Sequence, residues 1–152
     1  DKEKQCTCTE HQIQRYRSKL SGPLLDRIDL YVEVEEISYD AISQEQTCVM
    51  SESEQMRKRV EIAGEIQKQR YKQWKFSFNS ELDEPGVYEF CALGKREKEL
   101  MEKIFHKMKL SARGYHRMLK VARTIADLEG EKEIKETHLK EAISYRRSSM
   151  ME

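Results

Sequence analysis

The chain has no apolar run long enough to cross a bilayer, and no signal-peptide pattern opens it. Nothing in it repeats, and no tract is of low complexity. Net charge is also missing, since 28 Lys and Arg balance 28 Asp and Glu. A global electrostatic pull toward nucleic acid or a membrane is therefore excluded, and only local charge can matter. There is no phosphate loop of the form G-x-x-x-x-G-K-[ST]. No acidic pair follows an apolar strand, as magnesium binding beside a nucleotide requires. This chain alone should not hydrolyse nucleotide. The four cysteines, Cys6, Cys8, Cys48 and Cys91, are irregularly spaced and follow no secretion signal. That usage points to a reduced, cytoplasmic setting.

What is present suits helices. The 152 residues are 38% hydrophobic and 37% charged, which favours amphipathic helices with one apolar stripe around a thin core. Arg57 to Lys75 is basic, as is Lys95 to Lys120, whereas Glu33 to Glu54 is acidic. Solvated helix faces account for most such runs. The chain opens on Asp1 rather than Met, and Asp1 to Thr9 is polar, which suggests a piece of a longer protein.

Local signals place the elements. Thr9 can cap a helix from Glu10 to Leu20, stopped by Ser21-Gly22-Pro23. Leu24 and Leu25 begin a short turn. Ile28, Leu30, Val32 and Val34 alternate with Asp29, Tyr31 and Glu33, the period of a half-buried strand. Ser51 or Ser53 caps a long helix to about Trp74, with Met56, Val60, Ala63, Ile66 or Gln67, and Tyr71 inward. Lys75 to Gly86 reads as a loop, and Val87 to Leu93 as a short helix ending at Gly94. Lys95 to Lys109 is a helix with Leu100, Ile104, Phe105 and Met108 on one side. Ser111 caps another to about Glu129, with Gly130 as its C′ residue. Thr137 caps the last, whose stripe is Leu139, Ala142 and Ile143. The expected fold is mainly α: a small helical bundle over 52–152, a connector over 36–51, and over 1–35 a helix and strand left from an α/β domain.

Leu20 to Leu30 is the most informative segment. Arg27 sits in a tight turn before the expected strand, flanked by Asp26 and Asp29. It can pair locally with either carboxylate. It can instead project a planar, permanent cation toward a phosphate on a neighbour.

Ser21-Gly22-Pro23-Leu24-Leu25-Asp26-Arg27-Ile28-Asp29 resembles a signature segment of the magnesium-chelatase-like AAA+ ATPases of the ComM/YifB type. So does Leu110-Ser111-Ala112-Arg113, followed by Arg117 and Val121-Ala122-Arg123-Thr124-Ile125-Ala126-Asp127-Leu128. His138 to Arg146 is similar to the family's closing motif, and Gln67-x-x-Arg70 and Cys6-x-Cys8 also match. The motifs follow in the family's order over nearly the whole chain, with the poorest match from Glu35 to Ser51. The segment 52–152 then corresponds to the lid domain, and 1–35 to the end of the core.

This resemblance implies roles. Arg27 corresponds to the arginine finger, which reaches the nucleotide of an adjacent subunit. Arg113 corresponds to the sensor-2 arginine, which contacts the γ-phosphate in its own subunit. Arg117, one turn later, is a weaker candidate for the same face. Arg123 is expected to anchor the lid by pairing with Asp127. The cofactors implied are ATP and Mg2+ in the longer protein, with none held by this segment alone. The partners implied are neighbouring subunits of a homo-oligomeric ring, with DNA as a further candidate and no membrane. Gly114 departs from the alanine common in the family, which should soften the first turn by roughly 1 kcal/mol.

Other features keep two readings. Cys6-x-Cys8 is too tight for the usual zinc knuckle, so no metal site is assigned, although further cysteines upstream could complete one. Tyr71, Trp74, Phe76 and Phe78 follow the basic helix, either sealing a loop or stacking nucleic-acid bases. The alternative function is thus a helical interaction module whose basic stretch 57–75 binds nucleic acid or an acidic protein.

Overall fold

The computed structural model describes residues 7–25, 27–34, 39, 43 and 51–147. Asp26, Cys6, Cys48 and nearly all of the 36–51 connector fall outside them. The architecture is a small helical bundle. The described helices are α1 (Glu10–Arg17), α2 (Gly22–Leu25), α3 (Glu52–Arg70), α4 (Glu84–Phe90), α5 (Lys95–Lys107), α6 (Ala112–Leu128) and α7 (Glu136–Arg147), with a 3-10 turn at Asn79–Glu81.

Caps define the helix starts. The Thr9 side chain accepts from the Gln12 N–H while Gln12 returns a bond to the Thr9 N–H, a reciprocal capping box. Ser51 and Glu54 repeat the device at α3. Asp83 caps α4 through the Gly86 N–H, and Pro85 fits the first turn, where its missing N–H costs nothing. The loop expected up to Gly86 therefore ends three residues early. Ser111 caps α6 through the Gly114 N–H. At the other end Gly130 takes φ +72°. Its N–H donates to the Asp127 carbonyl and the Glu131 N–H to that of Ala126, a Schellman closure. The last helix begins at Glu136, so Thr137 lies inside it. His138 supplies the start instead: its Nδ1 accepts the Lys135 N–H at 3.0 Å. That leaves its proton on Nε2, which faces Glu129 at 3.0 Å.

The core sits where α6 and α7 cross α3, α4 and α5. Met118, Leu119, Ala122 and Ile125 of α6 meet Leu139 and Ala142 of α7, Met101 and Ile104 of α5, and Val87 of α4. Each Leu, Ile, Val or Met among them contributes about 2 kcal/mol of transfer free energy when fully buried. Leu93 and Ile134 form one parallel bridge that closes the α4–α5 turn against the start of α7.

Two further expectations are not met. Ile28 to Val34 forms no strand, and among the described residues no strand exists for it to pair with. Ile28, Leu30, Val32 and Val34 are all exposed, Val34 at 85%. A lone strand cannot satisfy its own ladder, so alternation without a partner leaves irregular backbone. The second failure is in α3. Its stripe is buried only in its second half, at Ala63 and Gln67, while Met56 and Val60 stay exposed. The helix outruns the bundle, and its first half has no described neighbour to cover it.

Candidate functional site

Helix α6 carries most of the residues the motifs single out. Its second half is anchored by a buried polar cluster. Asp127 is fully buried. Arg70 grips it with both terminal nitrogens, Nη1 at 2.8 Å from Oδ2 and Nη2 at Oδ1. Arg123 adds Nε at 3.1 Å, and Asn79 Nδ2 donates at 2.9 Å. Asn79 is itself held by the Tyr71 hydroxyl, which donates to its Oδ1 at 2.6 Å. Its amide N–H donates to Gln67 Oε1 at 3.0 Å. Arg123 also caps the turn after α6, donating to the Lys132 and Glu131 carbonyls at 2.7 and 2.6 Å. The expected Arg123–Asp127 pair is thus present and fully enclosed. Burial alone would lower the Arg70 pKa, but the bond to Asp127 and its charge outweigh burial and hold it above the ordinary arginine value.

The first half of α6 is different. Arg113 occupies its first turn and is exposed. Its guanidinium makes no ion pair among the described residues. The turn's free N–H groups and dipole lie beside it, an arrangement that favours anions. Gly114 is buried, and a Cβ there would lie 3.0 Å from Arg146 Nη2. The glycine therefore makes room for the Arg146 guanidinium from α7, a packing role that its helix propensity does not reveal.

Arg27 and Arg117 come together. Arg117 Nη1 pairs with Asp29 Oδ1 at 2.7 Å and also donates to the Arg27 carbonyl. The Arg27 side chain stays exposed, its Nη1 donating to the Pro23 carbonyl at 2.8 Å. No hydrogen bond or ion pair joins Arg113 to Arg27. Lys120 points to the same side and donates to the Ser80 carbonyl at 3.0 Å. Partial burial pushes its pKa below the ordinary lysine value, against the opposing pull of Asp29. A groove of about 340 Å³ runs between Asp29, Leu30, Arg117, Lys120, Thr124 and Tyr145.

Packing places the aromatic residues after α3 and Cys91. Tyr71 and Phe76 are buried, with Tyr71 edge-on to Phe76 and Phe90 at 6.0 and 4.9 Å. Trp74 stacks on Phe76 at 6.4 Å. This is a seal beneath the loop after α3, with only Trp74 and Phe78 half exposed. Burial raises the Cys91 thiol to about 12, which makes it a small core residue. Among the described residues no three His, Cys, Asp or Glu side chains gather as metal ligands. No helix of the described residues is long and apolar enough to cross a membrane.

The sequence marks Gln67 as a matching position and a possible member of the α3 stripe, Arg70 as a matching position in the basic stretch, and Asn79 as a loop breaker. The convergence of Arg70 and Asn79 on Asp127 had no local signal, because they lie 57 and 48 residues from it.

A capped helical bundle with the exposed Arg113 in the first turn of α6 defines a small helical module. Residues 50–146 match the profile of the family described as magnesium chelatase, subunit ChlI C-terminal, and the chain belongs to that family. Residues 1–42 match the profile of magnesium chelatase, subunit ChlI. Competence protein ComM of Haemophilus influenzae is 41% identical over 136 residues, covering 89% of this chain and 26% of that protein. The uncharacterized protein YifB of Escherichia coli is 39% identical over 140 residues, covering 91% of this chain and 26% of its own length. An uncharacterized protein of Mycobacterium tuberculosis is 32% identical over 143 residues, covering 94% and 28%. The chain thus spans about a quarter of the length of these relatives, and it is a ComM/YifB-like, magnesium-chelatase-related sequence.

Proposed function

We propose that this segment is the lid and arginine-finger part of an AAA+ ATPase, completing nucleotide sites at the boundaries between subunits of a ring. Arg113 contacts the terminal phosphate of ATP bound in its own subunit. Arg27 reaches the nucleotide of the adjacent one. The phosphate loop and the carboxylates that hold Mg2+ come from elsewhere in the longer protein, since the sequence here contains neither. The observation that carries the reading is the state of Arg113: a permanent cation, exposed, without an ion pair among the described residues, in the first turn of the helix that anchors the bundle. A permanent charge held on a rigid helix meets phosphate at little reorganisation cost.

The test is ATP turnover and ATP binding in the full-length protein. Arg27→Ala should keep binding and lose turnover, on the order of 10³-fold for a finger supplied in trans. Normal turnover would refute the assignment. A second reading draws on the exposed Arg57, Lys58 and Arg59 in the first half of α3 and the half-exposed Trp74 and Phe78 after its end. In it the bundle binds single-stranded nucleic acid as part of a DNA-processing motor. Titration with single-stranded DNA at two salt concentrations separates the readings. Tight binding that weakens steeply with salt favours the second, and no binding favours a lid that acts only beside its core.

A further inference from the structure

Arg117 stands where the two proposed nucleotide contacts approach each other within one chain. It lies one turn beyond Arg113 on α6, and residues four apart share a helix face. Its guanidinium is 26% exposed and pairs with Asp29 at 2.7 Å. The same nitrogen donates to the main-chain carbonyl of Arg27. One side chain therefore grips a carboxylate and a carbonyl two residues apart, on the loop that carries the Arg27 side chain. An exposed ion pair alone would be weak. A guanidinium that also holds the backbone fixes geometry as well as charge.

The rest of the loop is held on the same bundle face. The Tyr31 N–H donates to the Tyr145 carbonyl of α7 at 2.7 Å. The Tyr31 hydroxyl donates back to the Leu25 carbonyl at 2.7 Å, closing the loop on itself. The far end of α6 is fixed by the Asp127 cluster, so the helix is a rigid arm between that anchor and the loop.

We infer that Arg117 is a positioning residue that couples the Arg27 loop to the Arg113 end of α6. It serves neither nucleotide directly. Through it, one rigid helix carries Arg113 for a subunit's own nucleotide and holds the backbone from which Arg27 is offered to the neighbour. The inference rests on the lid and finger reading above. It adds that the finger loop is placed by Arg117 and does not need the Arg113 side chain.

The test uses the full-length protein. Arg117→Gln should lower kcat by roughly tenfold or more while leaving KM for ATP nearly unchanged, because a displaced finger costs rate and the variant's own site keeps Arg113. Mixed with Arg113→Ala subunits, Arg117→Gln should regain turnover above either variant alone, since some boundaries then pair an intact Arg113 with an intact finger loop. A wild-type kcat, or no recovery on mixing, overturns the inference. Should Arg117→Gln fail to fold, Arg117→Lys carries the test. It keeps the Asp29 ion pair without the planar fork, so it must show a smaller kcat deficit and the same recovery on mixing. Wild-type kcat or absent recovery in that variant is equally fatal. Arg27→Ala measured alongside keeps the two ideas apart. If it retains turnover, the finger reading has failed. If it loses turnover while both Arg117 variants behave as wild type, only the coupling has failed.

Discussion

The two ends of α6 treat arginine in opposite ways. Near its C-terminus Arg123 is 3% exposed and shares Asp127 with Arg70. In its first turn Arg113 is exposed and has no ion pair among the described residues. The same side chain is an anchor where a buried carboxylate compensates it and an available cation where nothing does. Buried charge is tolerated only with full pairing, so the first arrangement is structural. Arg117 lies between the two in position and in burial, and its partners belong to the Arg27 loop.

The comparison can be broken by mutation. The largest effect is expected at the anchor. Asp127→Ala leaves the buried Arg123 and the partly buried Arg70 without their carboxylate and should destabilise the fold by about 3–5 kcal/mol. Urea unfolding of the protein measures it, and a loss below about 1 kcal/mol would mean the cluster is not an anchor. Leu139→Ala, at 0% exposure beneath α6, should cost about 2–5 kcal/mol in the same assay through cavity formation. Ser111→Ala removes the cap that starts the open end and should cost about 1 kcal/mol. Arg113→Ala should leave stability within about 0.5 kcal/mol of wild type, as expected for an exposed side chain without a described ion pair. A larger loss of stability at Arg113 would erase the contrast between the two ends. A chemical counterpart needs no mutation. With its thiol pushed up to about 12, Cys91 should resist maleimide near pH 8 until the protein unfolds, while the exposed Cys8 reacts readily. Peptide mapping of the labelled protein distinguishes them.

Much of this contrast was legible in the sequence where its cause is local. The Thr9, Ser51 and Ser111 caps and the Gly130 C′ residue follow from side-chain chemistry within a few positions. The Arg123–Asp127 pair is one helical turn long and could be read the same way. The cluster partners Arg70 and Asn79 could not, because only the packing of α3 and of the 3-10 turn after it against α6 brings them to Asp127. Alternation at Ile28 to Val34 and the stripe at Met56 and Val60 report which faces suit burial. They do not report whether a neighbour is present to bury them. Gly114 is the subtler case. Helix propensity treats it as a weakness, whereas packing assigns it the space beneath Arg146.

The most direct test of the central claim is ATP turnover by full-length subunits carrying Arg27→Ala mixed in equal amounts with subunits carrying Arg113→Ala. If Arg113 serves its own subunit and Arg27 its neighbour, each variant alone is impaired. Their mixture then regains activity at boundaries where an intact Arg113 faces an intact finger. A mixture no more active than its components would contradict the account.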